Sequence, residues 1–111
     1  MKAFDHPKVE DISLSTVLSA LGDPIRLSIV TQLTLNEGEI GWGAIEVAVG
    51  KATLSHHMKT LRNAGLIHHR KDGTRCFVAL RFDVNVLFPG VLESILHAAA
   101  QTSSASAPIM T

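Results

Sequence analysis

The sequence predicts a mainly α-helical domain with a small β-hairpin, a winged helix-turn-helix of about five helices and a two-stranded wing. Three observations predict it. Apolar residues recur at helical spacing through most of the chain. Two of the predicted helices meet at a tight turn on Gly50. The stretch from Leu66 to Phe82 reads as two extended runs separated only by Asp72-Gly73, a two-residue signal for a type I′ hairpin.

The elements follow in order. A chain of 111 residues, 46% of them apolar, suits one compact domain with a full core. Residues 1–10 read as a loose, flexible arm. From Asp11 to Leu21, Ile12, Leu14, Val17, Leu18 and Leu21 share one helical face, and Gly22 ends the helix. Asp23 caps the next helix, near 24–34, with Pro24 at its first position. That helix is apolar on most sides and should be central. A short helix is expected from Trp42 or Gly43 to Val49, then the turn at Gly50, then a helix from Thr53 to Ala64 with Leu54, Met58 and Leu61 inward. The hairpin must pack on the helical body, through Phe77 and its neighbours. A last helix runs from about Pro89 to Ala100, with Leu92, Ile95, Leu96 and Ala99 as its stripe. The domain thus spans 11–100, and 101–111, rich in Ser, Ala and Thr, reads as a disordered tail.

Charge locates the function. Net charge is zero, yet residues 51–81 hold seven basic residues (Lys51, Lys59, Arg62, Arg70, Lys71, Arg75, Arg81) against the single acid Asp72, a surplus of +6 balanced by −6 elsewhere. A basic block in an acidic body is the footprint of a phosphate-binding face. The Thr53–Ala64 helix turns Ala52, Ser55, His56, Lys59 and Arg62 or Asn63 outward. Lys51, Ser55 and His56 carry donors suited to base edges in the major groove. Thr53 suits a cap or a phosphate contact, and Lys59 and Arg62 suit phosphates. Arg70, Lys71 and Arg75 surround the wing tip and suit the adjacent backbone or minor groove. The expected partner is double-stranded DNA.

Four stretches resemble the ArsR/SmtB-type family of bacterial repressors: Ala20-Leu21-Gly22-Asp23-Pro24-Ile25-Arg26-Leu27, Thr53-Leu54-Ser55-His56-His57-Met58-Lys59-Thr60-Leu61, Ala64-Gly65-Leu66-Ile67 and Asp72-Gly73. The resemblance covers residues 14–97 in order. It implies a homodimer through the first and last helices, bound to a palindromic operator and released by a metal ion, another inducer or oxidation. The family's sensing residues are missing here. Residues Glu39 to Ala44 contain no cysteine pair, the last helix offers only Glu93 and His97 with Asp83 just upstream, and Cys76 is the single cysteine. The inducer is therefore unidentified, and no metal site or cofactor is expected.

Other readings stand beside this one. A histidine-based metal-binding protein would use the six histidines. However, His56-His57 on a helix diverge by about 100°, and His68-His69 on a strand point to opposite faces. His57 should sit at the core edge with a hydrogen-bonded ring. His97 is the best-placed ligand candidate by position, and His6 lies in the arm. A dimerisation module without DNA binding is the third reading. An enzyme is not expected, because no phosphate loop, nucleophile–base pair or paired carboxylates are present. A lone cysteine excludes an internal disulfide. The polar N-terminus is unlike a signal peptide, and no apolar run reaches bilayer length. The expected location is the cytoplasm, with no membrane partner.

Overall fold

The computed structural model describes residues 4–104. Five α-helices and a three-stranded antiparallel sheet make a winged helix-turn-helix. Helix α1 (Leu14–Leu21) begins three residues later than the sequence predicts. Val9–Asp11 forms a single 3-10 turn, Ile12 is extended, and the Ser13 side chain accepts the Thr16 N–H, which fixes the start. Val17, Ala20 and Leu21 are buried, whereas Leu14 and Leu18, read on the same face, are 40% and 45% exposed. Gly22 follows the last turn.

Helix α2 (Pro24–Thr34) forms as its cap dictates. Asp23 Oδ2 accepts the N–H of Ile25 at 2.9 Å and of Arg26 at 3.1 Å, and Pro24 opens the helix. Ile29, Val30 and Leu33 are buried at the centre of the core.

The helix expected between Trp42 and Val49 does not form. Ile40–Gly41 is instead a short strand, β1, followed by one 3-10 turn at Trp42–Ala44 and irregular chain to Gly50. Two forces displace the helix. Ile40 pairs with Val78 and Gly41 with Phe77 in the sheet. The Gln32 side chain takes both backbone groups of Glu46, accepting its N–H at 2.8 Å and donating to its carbonyl at 2.8 Å. With its polar groups satisfied this way, a segment containing Gly41, Gly43 and the β-branched Ile45, Val47 and Val49 gains little from coiling.

Helix α3 (Lys51–Asn63) starts two residues earlier than expected. Its end is a Schellman motif. Gly65 has φ +88, its N–H donates to Arg62 O at 3.0 Å, and the Leu66 N–H donates to Leu61 O at 3.1 Å. Strands β2 (Ile67–Asp72) and β3 (Arg75–Leu80) form the wing hairpin, with β1 on the outer side of β3. Asp72 pairs with Arg75, so the turn residues are Gly73 and Thr74, one position beyond the expected pair. Only Gly73 has positive φ, which fits a type II′ turn rather than type I′. The wing meets the body through Ile67 and Val78, both fully buried; Val78 is the neighbour of Phe77, which is itself only half-buried.

The chain then adds a short helix not foreseen from sequence, α4 (Asp83–Leu87), where the strand was expected to reach Phe82. Helix α5 (Val91–Ser104) begins after Gly90 at φ +83 and passes the predicted end at Ala100 by a full turn. Ala98 to Ala100 are strong helix formers, and nothing in that stretch breaks the turn. The tail was expected to start at 101, so residues 101–104 are a correction to it. Residues 105–111 lie outside the described chain.

Candidate nucleic-acid interface

Helix α3 divides as its sequence pattern demands. Leu54, His57, Met58 and Leu61 are buried, and Lys51, Ala52, Thr53, Ser55, His56 and Lys59 are exposed. Gly50 is its N-cap and no side chain caps it, so the first-turn N–H groups and the positive end of the helix dipole are directed outward. Thr53 sits inside the first turn and does not cap.

His57 ties this helix to the body. Its Nδ1 lies 3.1 Å from Arg26 Nη1, and Arg26 Nε donates to the carbonyl of Ala20 at 2.7 Å. The Asp23 carboxylate, 3.9 Å from the same ring nitrogen, is held below the usual carboxylate range mainly by the backbone N–H of Arg26. The expected hydrogen-bonded ring at the core edge is present, and its partner is a residue that sequence reasoning did not single out.

The wing stands beside the start of α3. A cleft of about 420 Å³ is lined by Gly41, Trp42, Gly43, Lys51, Thr74, Arg75 and Cys76. It brings Lys51 of the helix and Arg75 of the wing to one place. Lys71 and Arg75 are exposed, and Arg75 lies 5.3 Å over the Phe77 ring. Cys76 is half-buried.

Two predicted phosphate contacts are committed elsewhere. Arg70 makes a bidentate pair with Glu39, Nε to Oε2 at 2.8 Å and Nη2 to Oε1 at 2.7 Å, and stacks 4.7 Å over Phe77. The hydrogen bond from Arg70 is the main reason that the Glu39 carboxyl titrates below its usual range. Glu39 is 31 positions from Arg70, and no local pattern signals the pairing. Arg62 turns inward. Its Nη1 lies 3.2 Å from His69 Nδ1 and its guanidinium 4.7 Å over the Phe4 ring.

Phe4 belongs to the segment expected to be loose. Residues 4–7 are instead docked across the base of the wing. Phe4 stacks on His69 at 3.8 Å, His6 Nε2 accepts the His69 N–H at 2.9 Å, and Arg81 Nη1 donates to Pro7 O at 2.9 Å. His68 is exposed and stacks on His6 at 4.6 Å, while His69 is buried, so the two neighbours do face opposite ways. Burial, then the charge of Arg62, lowers the His69 pKa to about 4. Burial and the nearby His68 lower that of His6.

Glu93 and His97 on α5 are exposed. Among the described residues no group of three His, Cys, Asp or Glu side chains is arranged to hold a metal ion. Nor is any helix among them long and apolar enough to cross a membrane.

A basic, uncapped helix held beside a β-wing on a helical body defines a winged helix-turn-helix transcriptional regulator. Residues 23–69 match the model of the bacterial regulatory protein, arsR family. An HTH-type transcriptional regulator of Bacillus subtilis, YceK, is 36% identical over 89 residues, 78% of this chain and 89% of the relative. The chain belongs to the ArsR family, which is made of DNA-binding regulators and not of enzymes. Two solved structures are similar as well. The transcriptional repressor BigR from Xylella fastidiosa matches with TM-score 0.60 and 25% identity over 80% of this chain and 84% of that one. The homodimeric winged helix-turn-helix domain Mb0332 from Mycobacterium bovis matches with TM-score 0.59 and 26% identity over 88% and 87%.

Proposed function

We propose that the protein is a cytoplasmic transcriptional repressor that binds a palindromic operator as a homodimer and leaves it on an inducing signal. The observation that carries the DNA reading is the exposed row Lys51, Ser55, His56 and Lys59 on an uncapped helix, with Lys51 sharing a cleft with Arg75 of the wing. Ser55, His56 and Lys51 read base edges. Ala52 allows close approach, and Thr53, Lys59, Lys71 and Arg75 hold phosphates. Arg62 and Arg70 are secondary, since each already has a partner. The repressor reading draws on BigR.

The dimer reading rests on α1 and α5. Leu14 and Leu18 leave an apolar strip on α1, and Ile95 and Leu96 on α5 are only half-buried. Apolar strips of this kind are covered in obligate interfaces. The similar Mycobacterium bovis domain is a homodimer. A two-fold axis would set two α3 helices about 34 Å apart, one turn of DNA.

A gel-shift series against the DNA upstream of its own gene tests the reading. Lys59→Ala should weaken binding to all sequences alike, whereas Ser55→Ala and His56→Ala should change sequence preference. Failure to bind any duplex at low salt would leave the dimerisation-module reading in its place.

A further inference from the structure

His6 holds the arm by a bond that only its neutral form can make. A backbone N–H only donates, so the His69 N–H at 2.9 Å fixes His6 Nε2 as an acceptor without a proton. A second proton on the ring would set N–H against N–H and break this bond. The surroundings oppose that proton. From β2, the His68 ring lies parallel to His6, 4.6 Å away with 5° between the planes, and the buried His69 is the next residue. The Arg62 cation acts on His6 from α3, and Arg81 acts on it from the chain after β3. Arg81 is itself paired with Asp83 and donates to Pro7 O. On its own segment, the exposed Asp5 and Lys8 lie near it. The Phe4 backbone favours the proton, but burial and His68 lead the opposing effects and hold the His6 pKa below the ordinary 6.5.

Phe4 completes the seat. It lies flat on His69 with 14° between the planes, under the Arg62 guanidinium. Arg62 Nη1 also donates to His69 Nδ1 at 3.2 Å, since a guanidinium has no acceptor. The arm is thus attached by one imidazole acceptor, one carbonyl, two ring stacks and a cation over Phe4. The buried core begins at Ile12, so the arm can leave without opening it.

We propose that residues 4–7 are a proton-operated latch. The arm is seated while His6 is neutral, and a proton on His6 unseats it while the domain stays folded. Unseating uncovers one face of His69 and takes Phe4 away from Arg62. It also removes the arm that joins Arg62 of α3 to β2 and, through Arg81, to the chain after β3. The recognition helix and the base of the wing are then less firmly tied. Such a latch answers acidification directly and needs neither a metal nor a second cysteine. Its effect on DNA rests on the operator reading, whereas the latch itself does not.

NMR of the full chain, titrated from about pH 7.5 to 5, reads each step. The His6 ring should titrate below 6.5. The Phe4–His69 cross-peaks and the His69 amide shift should change with the same midpoint, the cross-peaks losing more than about half of their intensity. Amides of the buried Met58 and Leu61 should keep their protection throughout. His6→Gln keeps an acceptor but takes no proton, so its arm should stay seated across the range. Phe4→Ala removes one stack, and the His6 midpoint should move back toward 6.5. A Phe4–His69 contact that survives protonation of His6 overturns the latch, and so does core protection lost at the same midpoint. A His6→Gln arm that leaves with the wild-type midpoint, or an unmoved His6 midpoint in Phe4→Ala, overturns it as well. None of these readings involves DNA, so their failure leaves the operator reading untouched.

Discussion

Arg26 Nη1 and His57 Nδ1 lie 3.1 Å apart and join the start of α2 to the middle of α3. Through Nε, Arg26 also holds the Ala20 carbonyl near the end of α1. One guanidinium therefore fixes the recognition helix against the helix that carries the exposed Leu14 and Leu18.

Arg26→Met should remove this link while keeping the aliphatic stem. His57 is 8% exposed, and its ring nitrogen would lose its donor. A loss of about 1–3 kcal/mol is expected, read as a fall in the urea midpoint without a change in slope. Operator affinity should fall further than stability predicts, because α3 is no longer held in register. Affinity that tracks only the folded fraction would remove the positioning role.

Gly65 gives a second prediction. Its φ of +88 disfavours any side chain, and a Cβ there would meet Ile12 Cδ1 at 2.5 Å. Gly65→Ala should destabilise the domain by about 1–3 kcal/mol. Combining it with Ile12→Val should recover less than the whole loss, since valine keeps the Cγ1 that a Cβ at Gly65 would meet at 2.7 Å and the backbone strain remains. Thermal unfolding of the two variants separates these parts.

The pH dependence of stability should be set by the arm. His69 has its pKa lowered from 6.5 to about 4, and His6 is lowered as well, so both are held neutral in the folded chain. A lowered histidine contributes fully above the unfolded value and loses its contribution as pH falls from about 6.5 toward 4. Asp23 and Glu39 are lowered from 3.8 and 4.5, so their contributions persist through most of that window and begin to fall only near its lower end. Urea midpoints should therefore drop between pH 6.5 and 4, and His6→Gln should flatten the upper part of that drop. A midpoint constant across the window would contradict the docked arm.

What was legible in the sequence was what local chemistry decides. Asp23-Pro24 announces a helix start because cap and proline act within three residues. Gly65 announces a stop because only its backbone suits the left-handed turn, and Gly73 marks the hairpin for the same reason. The larger failures are non-local. Trp42 to Val49 reads as helix until Gln32, fourteen residues away, satisfies Glu46 and β3 captures Ile40. Arg62 and Arg70 read as phosphate contacts until Phe4, His69 and Glu39 are brought to them by the fold. A helical wheel also cannot say that Leu14 and Leu18 face away from their own core, because apolar periodicity reports burial without naming what does the burying.

Glu39 is the clearest case of a residue whose role depends on such a partner. It neutralises Arg70 at the wing, and the pair is exposed enough to contribute little to stability. Glu39→Gln should leave the fold intact and release one cation to the DNA face. Binding should tighten, and the slope of log K against log salt should steepen by about 1, the value for one added phosphate contact. Arg70→Ala should weaken binding less than Lys51→Ala, because Arg70 must first leave its carboxylate. Salt-dependent anisotropy titrations of the three variants measure this, and an unchanged slope for Glu39→Gln would show that Arg70 does not reach the backbone at all.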